Sequence, residues 1–144
     1  MNESLITLQG RVGSDVSLRR AGDAEVASFR LACTPRRYQR KTDSWVDADT
    51  QWFTVSAWRA LAENCDRSLR RGDAVVIHGR LNAQTWVNKA GVEVTTFEID
   101  AVFVGHDLTK GTSVFTRPAR EVQGPDEGEE AGVTTSADQT GAAA

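Results

Sequence analysis

Four large aromatic side chains have polar or basic neighbours on segments that alternate like β-strands: Tyr38, Trp52, Trp58 and Trp86. Successive side chains of a strand point to opposite faces. A strand over 51–58 therefore places Trp52 and Trp58 on one face, while its apolar residues form the other face and already suffice for a core. The two rings on the polar face are suited to stacking on flat groups such as nucleic-acid bases.

The other two rings have similar surroundings. Trp86 shares its strand parity with Arg80 and Gln84, side chains that a core rarely accommodates. Tyr38 lies between pairs of cations at 36–37 and 40–41. A base stacked on an aromatic ring contributes ~1–3 kcal/mol, and every base has a flat face, so the pattern predicts binding of single strands without sequence preference. The alternative is that the tryptophans belong to the core.

Basic side chains near the rings provide phosphate contacts, which release counterions and make affinity fall with salt. The candidates lie on the arm around Tyr38 and on or beside the predicted strands: Arg36, Arg37, Arg40, Lys41, Arg30, Arg59 and Arg80. Two assignments stay open. Trp45 either stacks on a base or only pins the arm, and the arginine pair at 70–71 either binds phosphate or contacts the last carbonyls of a helix.

The elements that position these residues are strands and a single helix. Alternation predicts five strands, over 4–12, 26–33, 51–58, 73–86 and 92–104. The last of them turns four residues inward: Phe97, Ile99, Ala101 and Phe103. A stripe of apolar residues predicts a helix over 59–71 with Gly72 as its C-terminal cap. Turns are expected at 20–23 and 88–91, and a hairpin arm or long loop at 36–49.

This order of elements predicts an all-β fold. Five strands with a helix between the third and fourth match a closed OB-fold barrel, here with long hairpin arms. A generic antiparallel sheet packed on a helix is the alternative. The expected organisation is an OB-fold domain over 1–110, an extra strand or clamp over 111–119 with the strand at 112–116, and a disordered acidic tail over 120–144.

Charge is segregated along the chain of 144 residues. Residues 1–120 hold all 17 Lys and Arg against 14 Asp and Glu, a net charge of +3, whereas residues 121–144 hold six acids and no base. The basic part suits a polyanionic partner. The tail has no aromatic residue, so it buries too little surface to order itself.

Other classes of protein find no support in the sequence. No run of residues is long and apolar enough to span a membrane, and the N-terminus lacks a signal pattern, so a cytoplasmic, nucleoid-associated protein is expected. Cys33 and Cys65 are expected to be buried thiols, with an intersubunit disulfide as the alternative. His78 and His106 have no partners at metal-ligand spacing, and the nucleotide-binding and zinc-protease motifs are absent. We therefore expect no metal, no cofactor and no enzymatic activity.

Over residues 3–106 the chain resembles the bacterial single-stranded DNA-binding proteins, and in particular their actinobacterial branch. The segments that carry the resemblance are Thr34-Pro-Arg-Arg-Tyr38 followed by Trp45, Trp52-Phe-Thr-Val-Ser-Ala-Trp58, Leu69-Arg-Arg-Gly72, Gly79-Arg-Leu81 with Trp86, and Phe97-Glu-Ile99. The resemblance implies a homotetramer that wraps single-stranded DNA in replication, repair or recombination. It also implies that Tyr38, Trp52, Trp58 and Trp86 are the stacking residues.

The chain departs from that family's pattern in three ways. Tyr38 and Trp58 replace the more typical Trp and Phe, and both changes keep a ring. Asn82 and Gln84 stand where basic residues are typical, which argues against strong phosphate binding along that strand. The C-terminus lacks the acidic tip ending in Pro-Phe, so a specialised paralogue that recruits other repair proteins poorly is expected.

Two further functions remain open from the sequence. One is an OB-fold module that binds RNA or acts in primosome assembly. The other is an interaction protein whose tryptophans lie in a subunit contact.

Overall fold

The computed structural model describes residues 2–119, and within them it places eight strands and one helix. In chain order these are β1 Leu5–Val12, β2 Ser17–Ala21, β3 Ala24–Cys33, β4 Arg36–Gln39, β5 Ser44–Asp47, β6 Gln51–Trp58, α1 Ala60–Ser68, β7 Ala74–Val87 and β8 Glu93–His106. β4 and β5 form a separate two-stranded hairpin, which is the predicted arm.

The main sheet closes on itself. Its strand order is β1-β7-β8-β6-β3-β2, and β1 also pairs with β3 through Arg11↔Ala32 and Val12↔Leu31. The pairs are antiparallel except β6 with β8, which is parallel. Five strands therefore form a closed ring, and α1 connects the third and fourth of them, β6 and β7. The predicted OB-fold barrel is confirmed.

Alternation along the strands fills the barrel with apolar side chains. Leu31, Val55, Ile77 and Ile99 come from four different strands and are completely buried. Among residues 2–119 no buried side chain is polar or charged. α1 packs against β3 and β6. The hydrophobic effect of this apolar interior is the main force that holds the ring together.

Both cysteines are free thiols in this core, as the sequence predicts. Burial raises the pKa of the Cys65 thiol to about 11 and also raises that of Cys33. The reactive form of cysteine is the thiolate, so the raised pKa leaves Cys65 inert at neutral pH.

The sequence does not reveal β2. Ser17–Ala21 pairs with β3 at the edge of the sheet, and four of its five residues are exposed. An edge strand that faces solvent on both sides carries no alternation for a pattern to detect. The predicted turn after it is present, with Gly22 at a φ of 66°.

The helix is shorter than predicted. It ends at Ser68, and Leu69 is already extended. Gly72 is therefore not the helix cap. It lies in the turn before β7 at a φ of 95°, which favours glycine, and its N–H donates to the Val12 carbonyl at 2.7 Å.

Two residues assigned to the inner face of β8 are not buried in the core. Phe97 and Phe103 are 44% and 52% exposed, whereas Ile99 is buried. A bulge between His78 and Gly79 pairs Gly79 with Ala101 and His78 with Phe103, which leaves Val102 as the extra residue. Phe103 consequently points outward and stacks on His78 at 5.1 Å. Phe97 keeps the inward parity but lies further along the hairpin, where its ring is 6.5 Å from that of Phe53.

The strand expected over 112–116 is absent, since residues 111–119 form neither helix nor strand. A compact unit ends at Ser113, and beyond it Val114 and Phe115 are exposed. The predicted disordered tail over 120–144 lies outside the described residues. No helix in the described part of the chain is long and apolar enough to cross a membrane.

Candidate nucleic-acid interface

β6 supplies two of the predicted stacking rings. Its inner face carries Val55 and Ala57, both completely buried, and its outer face carries Trp52 and Trp58. The outer residues between the rings, Thr54 and Ser56, are only partly exposed. Trp52, Trp58 and Trp86 are 47%, 46% and 48% exposed, so half of each ring is available to a ligand. The alternative that these tryptophans are core residues is wrong.

Trp52 is held in place by its neighbours. The Arg30 guanidinium carbon lies 5.2 Å from the centre of the indole, a cation–π contact. The indole also packs closely on the backbone at Gly13, where a Cβ would lie 2.6 Å from the ring atom Cζ3. The main chain at Arg30 is held as well, because its backbone N–H donates to the Ser14 hydroxyl at 2.9 Å. A ring fixed in this way loses little conformational freedom on binding.

Trp86 lies near the tip of the long β7–β8 hairpin, opposite Val94. The polar residues on the same face of β7 point toward β8. The Asn82 amide donates to the Asp100 carboxylate at 3.0 Å, and the Gln84 amide donates to the Glu98 carboxylate at 3.2 Å. The outer face of β7 is therefore an ordered polar surface with a ring at one end.

Tyr38 is on the β4–β5 arm and not on the barrel. It pairs with Trp45, and the two ring centres are 5.7 Å apart in an edge-to-face arrangement. The Tyr38 hydroxyl donates to the Asp43 carboxylate. Both rings are exposed, so Trp45 supports Tyr38 while keeping a free surface of its own. The arm is joined at its base by a hydrogen bond between the hydroxyls of Thr34 and Thr50 at 2.7 Å.

The predicted phosphate-binding cations differ in what they contact. Arg36 pairs with Asp47 at 3.4 Å, and Arg80 pairs with Glu3 at 3.1 Å, all at exposed positions. The arm cations Arg37, Arg40 and Lys41, together with Arg59, are exposed and form no salt bridge with another described residue. Arg59 directly follows Trp58 at a φ of 60°, where its N–H donates to the Glu25 carbonyl at 2.8 Å.

Strand pairing brings most of the predicted site together on one surface. The outer faces of β3, β6, β8 and β7 are adjacent in the sheet, so Arg30, Trp52, Trp58, Arg80 and Trp86 lie on one continuous wall. Tyr38 and the arm cations are on a separate hairpin. Sequence reasoning missed Glu98 and Asp100, which occupy the centre of this wall. Alternation in the sequence places both residues on one face of β8, but the sequence does not show that β6 lies beside them.

The histidines make structural contacts elsewhere. His78 hydrogen-bonds the Thr7 hydroxyl at 2.7 Å. The ring nitrogens of His106 contact Ser113 Oγ at 2.6 Å and Asp73 Oδ2 at 3.1 Å, which ties the chain after β8 to the start of β7. Over residues 2–119 no group of three or more His, Cys, Asp or Glu side chains is arranged to hold a metal.

Comparison with known proteins agrees with this geometry. The model of the single-strand binding protein family matches residues 3–107. The chain belongs to this family. The predicted relationship to the actinobacterial proteins is confirmed by its relatives. The single-stranded DNA-binding protein 2 of Streptomyces avermitilis is 44% identical over 119 residues, which are 83% of this chain and 75% of that protein. A protein of the same name from Tropheryma whipplei is 42% identical over 113 residues, 78% of this chain and 74% of its own.

Solved structures of the family have the same fold. The small single-stranded DNA-binding protein from Streptomyces coelicolor superposes with a TM-score of 0.71 at 42% identity, covering 77% of this chain and 100% of that one. The second single-stranded DNA-binding protein from Mycobacterium smegmatis gives a TM-score of 0.60 at 27% identity, over 81% of this chain and 100% of its own.

Proposed function

We propose that this protein binds single-stranded DNA by stacking bases on Trp52, Trp58 and Trp86 of the barrel wall and on Tyr38 of the arm. The observation that carries the proposal is the exposure of the three tryptophans on one wall. They are 46–48% exposed, so they do not belong to the core. Membership of the single-strand binding protein family supports the same function.

The mechanism requires no recognition of base sequence. A flat ring stacks on any base, and each such contact is worth ~1–3 kcal/mol. Duplex DNA keeps its base faces inside the stack, so the wall selects unpaired strands. Binding protects the strand during replication, repair or recombination and makes or breaks no covalent bond, so we assign the protein no enzymatic role.

Phosphate contacts come mainly from one side of the wall and from the arm. Arg30 and Arg59 flank the two β6 rings in the structure, and Arg37, Arg40 and Lys41 are on the arm without a carboxylate partner among residues 2–119. Arg36 and Arg80 contribute after exchanging their exposed carboxylate partners for phosphate. Exposed ion pairs are worth at most ~1 kcal/mol, so this exchange costs little.

We also propose that the protein assembles as a homotetramer. β1 pairs with β3 only at Arg11 and Val12, so on that side the strand from Leu5 to Gly10 has no strand neighbour among residues 2–119. Exposed apolar side chains lie on β1 itself and on β8, which is beyond β7: Leu5 and Val102 are each 60% exposed. An open strand edge beside an apolar face is suited to a second copy of the chain.

A fluorescence titration with oligo(dT) at several salt concentrations tests the binding proposal. Stacking on the exposed tryptophans should quench their emission strongly. The logarithm of the affinity should fall with the logarithm of salt by roughly 0.7 per phosphate contacted. Oligo(rU) in a parallel titration tests whether RNA is the preferred ligand. Unchanged emission with both polymers at low salt would contradict the stacking mechanism.

A further inference from the structure

The edge strand β2 extends the proposed binding wall beyond β3. Arg19 of β2 pairs with Val26 of β3, and Val26 pairs with Trp58 of β6. Residues directly opposite each other in paired strands point to the same face of the sheet. Arg19 therefore lies on the face that carries the exposed Trp58 ring. The residue between them, Val26, is apolar and only 2% exposed, so no charge intervenes between this cation and the ring.

Arg19 is available to an anionic ligand. Its side chain is exposed and forms no salt bridge with another residue of the described range 2–119. Neighbouring strands lie ~4.8 Å apart, so the main chains at Arg19 and Trp58 are separated by ~10 Å. A base stacked on Trp58 carries its phosphates beside the ring, at a distance that a long arginine side chain can span. A phosphate could therefore bind Arg19 without displacing a carboxylate partner.

The β3 side of β6 presents cations and hydroxyl groups. Register places Arg30 of β3 beside Thr54 and Ser28 beside Ser56. Ser28 is paired in turn with Ser17 of β2. Serine and threonine hydroxyls, like arginine side chains, commonly contact the phosphate oxygens of DNA. This side of the wall is therefore suited to a DNA backbone.

The β8 side of β6 is acidic. Glu98 lies beside Thr54 and Asp100 beside Ser56, and these two partly exposed acids form a carboxylate strip on the outer face of β8. Their hydrogen-bond partners on β7 are neutral amides, which leave both negative charges in place. The strip repels phosphate, because like charges repel. A DNA backbone that passes Trp58 is therefore more stable over β3 and β2 than over β8.

From this arrangement we infer that Arg19 binds a phosphate beside Trp58 and that, at this end of the wall, the DNA backbone passes over β3 and β2. The inference rests on the proposed binding of single-stranded DNA and adds a phosphate site to it. β2, the edge strand that sequence alternation does not reveal, thereby becomes part of the binding surface. The site is compatible with any base sequence, because phosphate contacts carry no sequence information.

The test compares neighbouring arginines of β2 in fluorescence titrations with oligo(dT) at several salt concentrations. Arg19→Gln should lower the affinity about fivefold at low salt, close to the most that an exposed ion pair contributes. The slope of the logarithm of affinity against the logarithm of salt should become shallower by roughly 0.7, the value for one phosphate contact on a single strand. Arg19→Lys keeps the charge and should keep the wild-type slope.

Arg20→Gln is the matched control. It removes the same charge from the next residue of the same strand, but Arg20 pairs with Glu25 and points to the opposite face. It should leave the slope unchanged. Equal changes in both glutamine variants would reveal only an effect of net charge, and an unchanged slope in Arg19→Gln would mean that no phosphate is bound there. Either result overturns the inference while the binding proposal stands.

Failure of the binding proposal gives a different result. If oligo(dT) does not quench the tryptophans of the wild-type protein at low salt, the binding proposal fails and the inference with it. Circular dichroism of each variant verifies that the barrel is folded.

Discussion

At the scale of single residues, the proposed interface depends on rings that are exposed and yet fixed. Trp52 is the clearest example, because Arg30 lies over its face at 5.2 Å and the Gly13 backbone packs against it. Trp86 has no aromatic or cationic partner of this kind among the described residues. Trp52 is therefore more ordered than Trp86 in the free protein, and we expect Trp52 to contribute more to the free energy of DNA binding.

Replacing either ring should weaken binding without unfolding the protein. Trp86→Ala should lower the affinity for oligo(dT) about tenfold and Trp52→Ala should lower it more, since a stacked base is worth ~1–3 kcal/mol and 1.4 kcal/mol is a factor of ten. Trp52→Phe, which keeps a ring, should restore most of the loss. The measurement is anisotropy of a labelled oligonucleotide, with thermal unfolding as the control. Loss of folding in the alanine variants, or unchanged affinity, would remove these rings from the interface.

At the scale of elements, the bulge at Val102 of β8, opposite His78 and Gly79 of β7, determines which side chains β8 presents beyond Ala101. Gly79 lies so close to β8 that an added Cβ would be 2.2 Å from the Asp100 carbonyl oxygen. The shift at this glycine turns Phe103 outward beside His78 and returns Val104 to the core. One glycine therefore separates the polar strip at Glu98 and Asp100 from the apolar face at Phe103.

Gly79→Ala should accordingly be costly. The clash is with backbone, which cannot move aside without disturbing the β7–β8 pairing, so we expect a loss of ~3 kcal/mol in the free energy of unfolding, at the upper end of the usual range for overpacking. Gly105→Ala is the control, because a Cβ there has no neighbour within 4 Å. Urea unfolding of both variants measures the difference. Equal stability of the two would show that the strands can separate at this point without cost.

At the scale of the whole molecule, the barrel has two surfaces with different chemistry. One is the wall with the tryptophans and the carboxylate strip. The other combines the open edge of β1 with exposed apolar side chains on β1 and β8: Leu5, Val102 and Phe103. The two surfaces adjoin, because Leu5 pairs directly with Arg80 of the wall. In the proposed homotetramer, several DNA-binding walls would be linked in one assembly. Linked sites raise the effective concentration of the later contacts.

A charge on the apolar face should separate assembly from binding. Phe103→Asp is expected to dissociate the homotetramer, because an exposed ring that packs against another copy would be replaced by a carboxylate that resists burial. Sedimentation velocity measures the change in mass. The exposed Val92→Asp, on the β7–β8 turn, is the control and should remain assembled. A wild-type monomer at micromolar concentration would contradict the assembly proposal.

Much of the fold was predictable because alternation is a local signal. The parity of β3 and β6 follows from their sequences, and the structure confirms the inner and outer faces of both. β2 was not predictable, since an exposed edge strand has no apolar face to reveal it. The outward turn of Phe103 was not predictable either, because a bulge depends on how two strands pair and not on either strand alone.

The candidate site divides in the same way. The exposed rings were predictable from their polar neighbours on the same strand. The pairing of Tyr38 with Trp45 and the position of Arg30 over Trp52 required the register of two strands. Glu98 and Asp100 show the limit most clearly. Their side chains hydrogen-bond to amides on β7, and on the other side they lie beside β6, which carries two tryptophans. These contacts involve three strands, so the sequence of one strand does not predict them.

The barrel is a single layer of β-sheet, and among residues 2–119 its inner face buries no polar or charged side chain. Residues on the outer face can therefore be substituted without changing the residues on the inner face. Outer residues such as Asn82 and Gln84 can change with little effect on the core, because their side chains hydrogen-bond to carboxylates on the outer face of β8. Substitutions at outer positions should therefore alter the binding surface with little effect on stability, whereas substitutions at inner positions should destabilise the barrel.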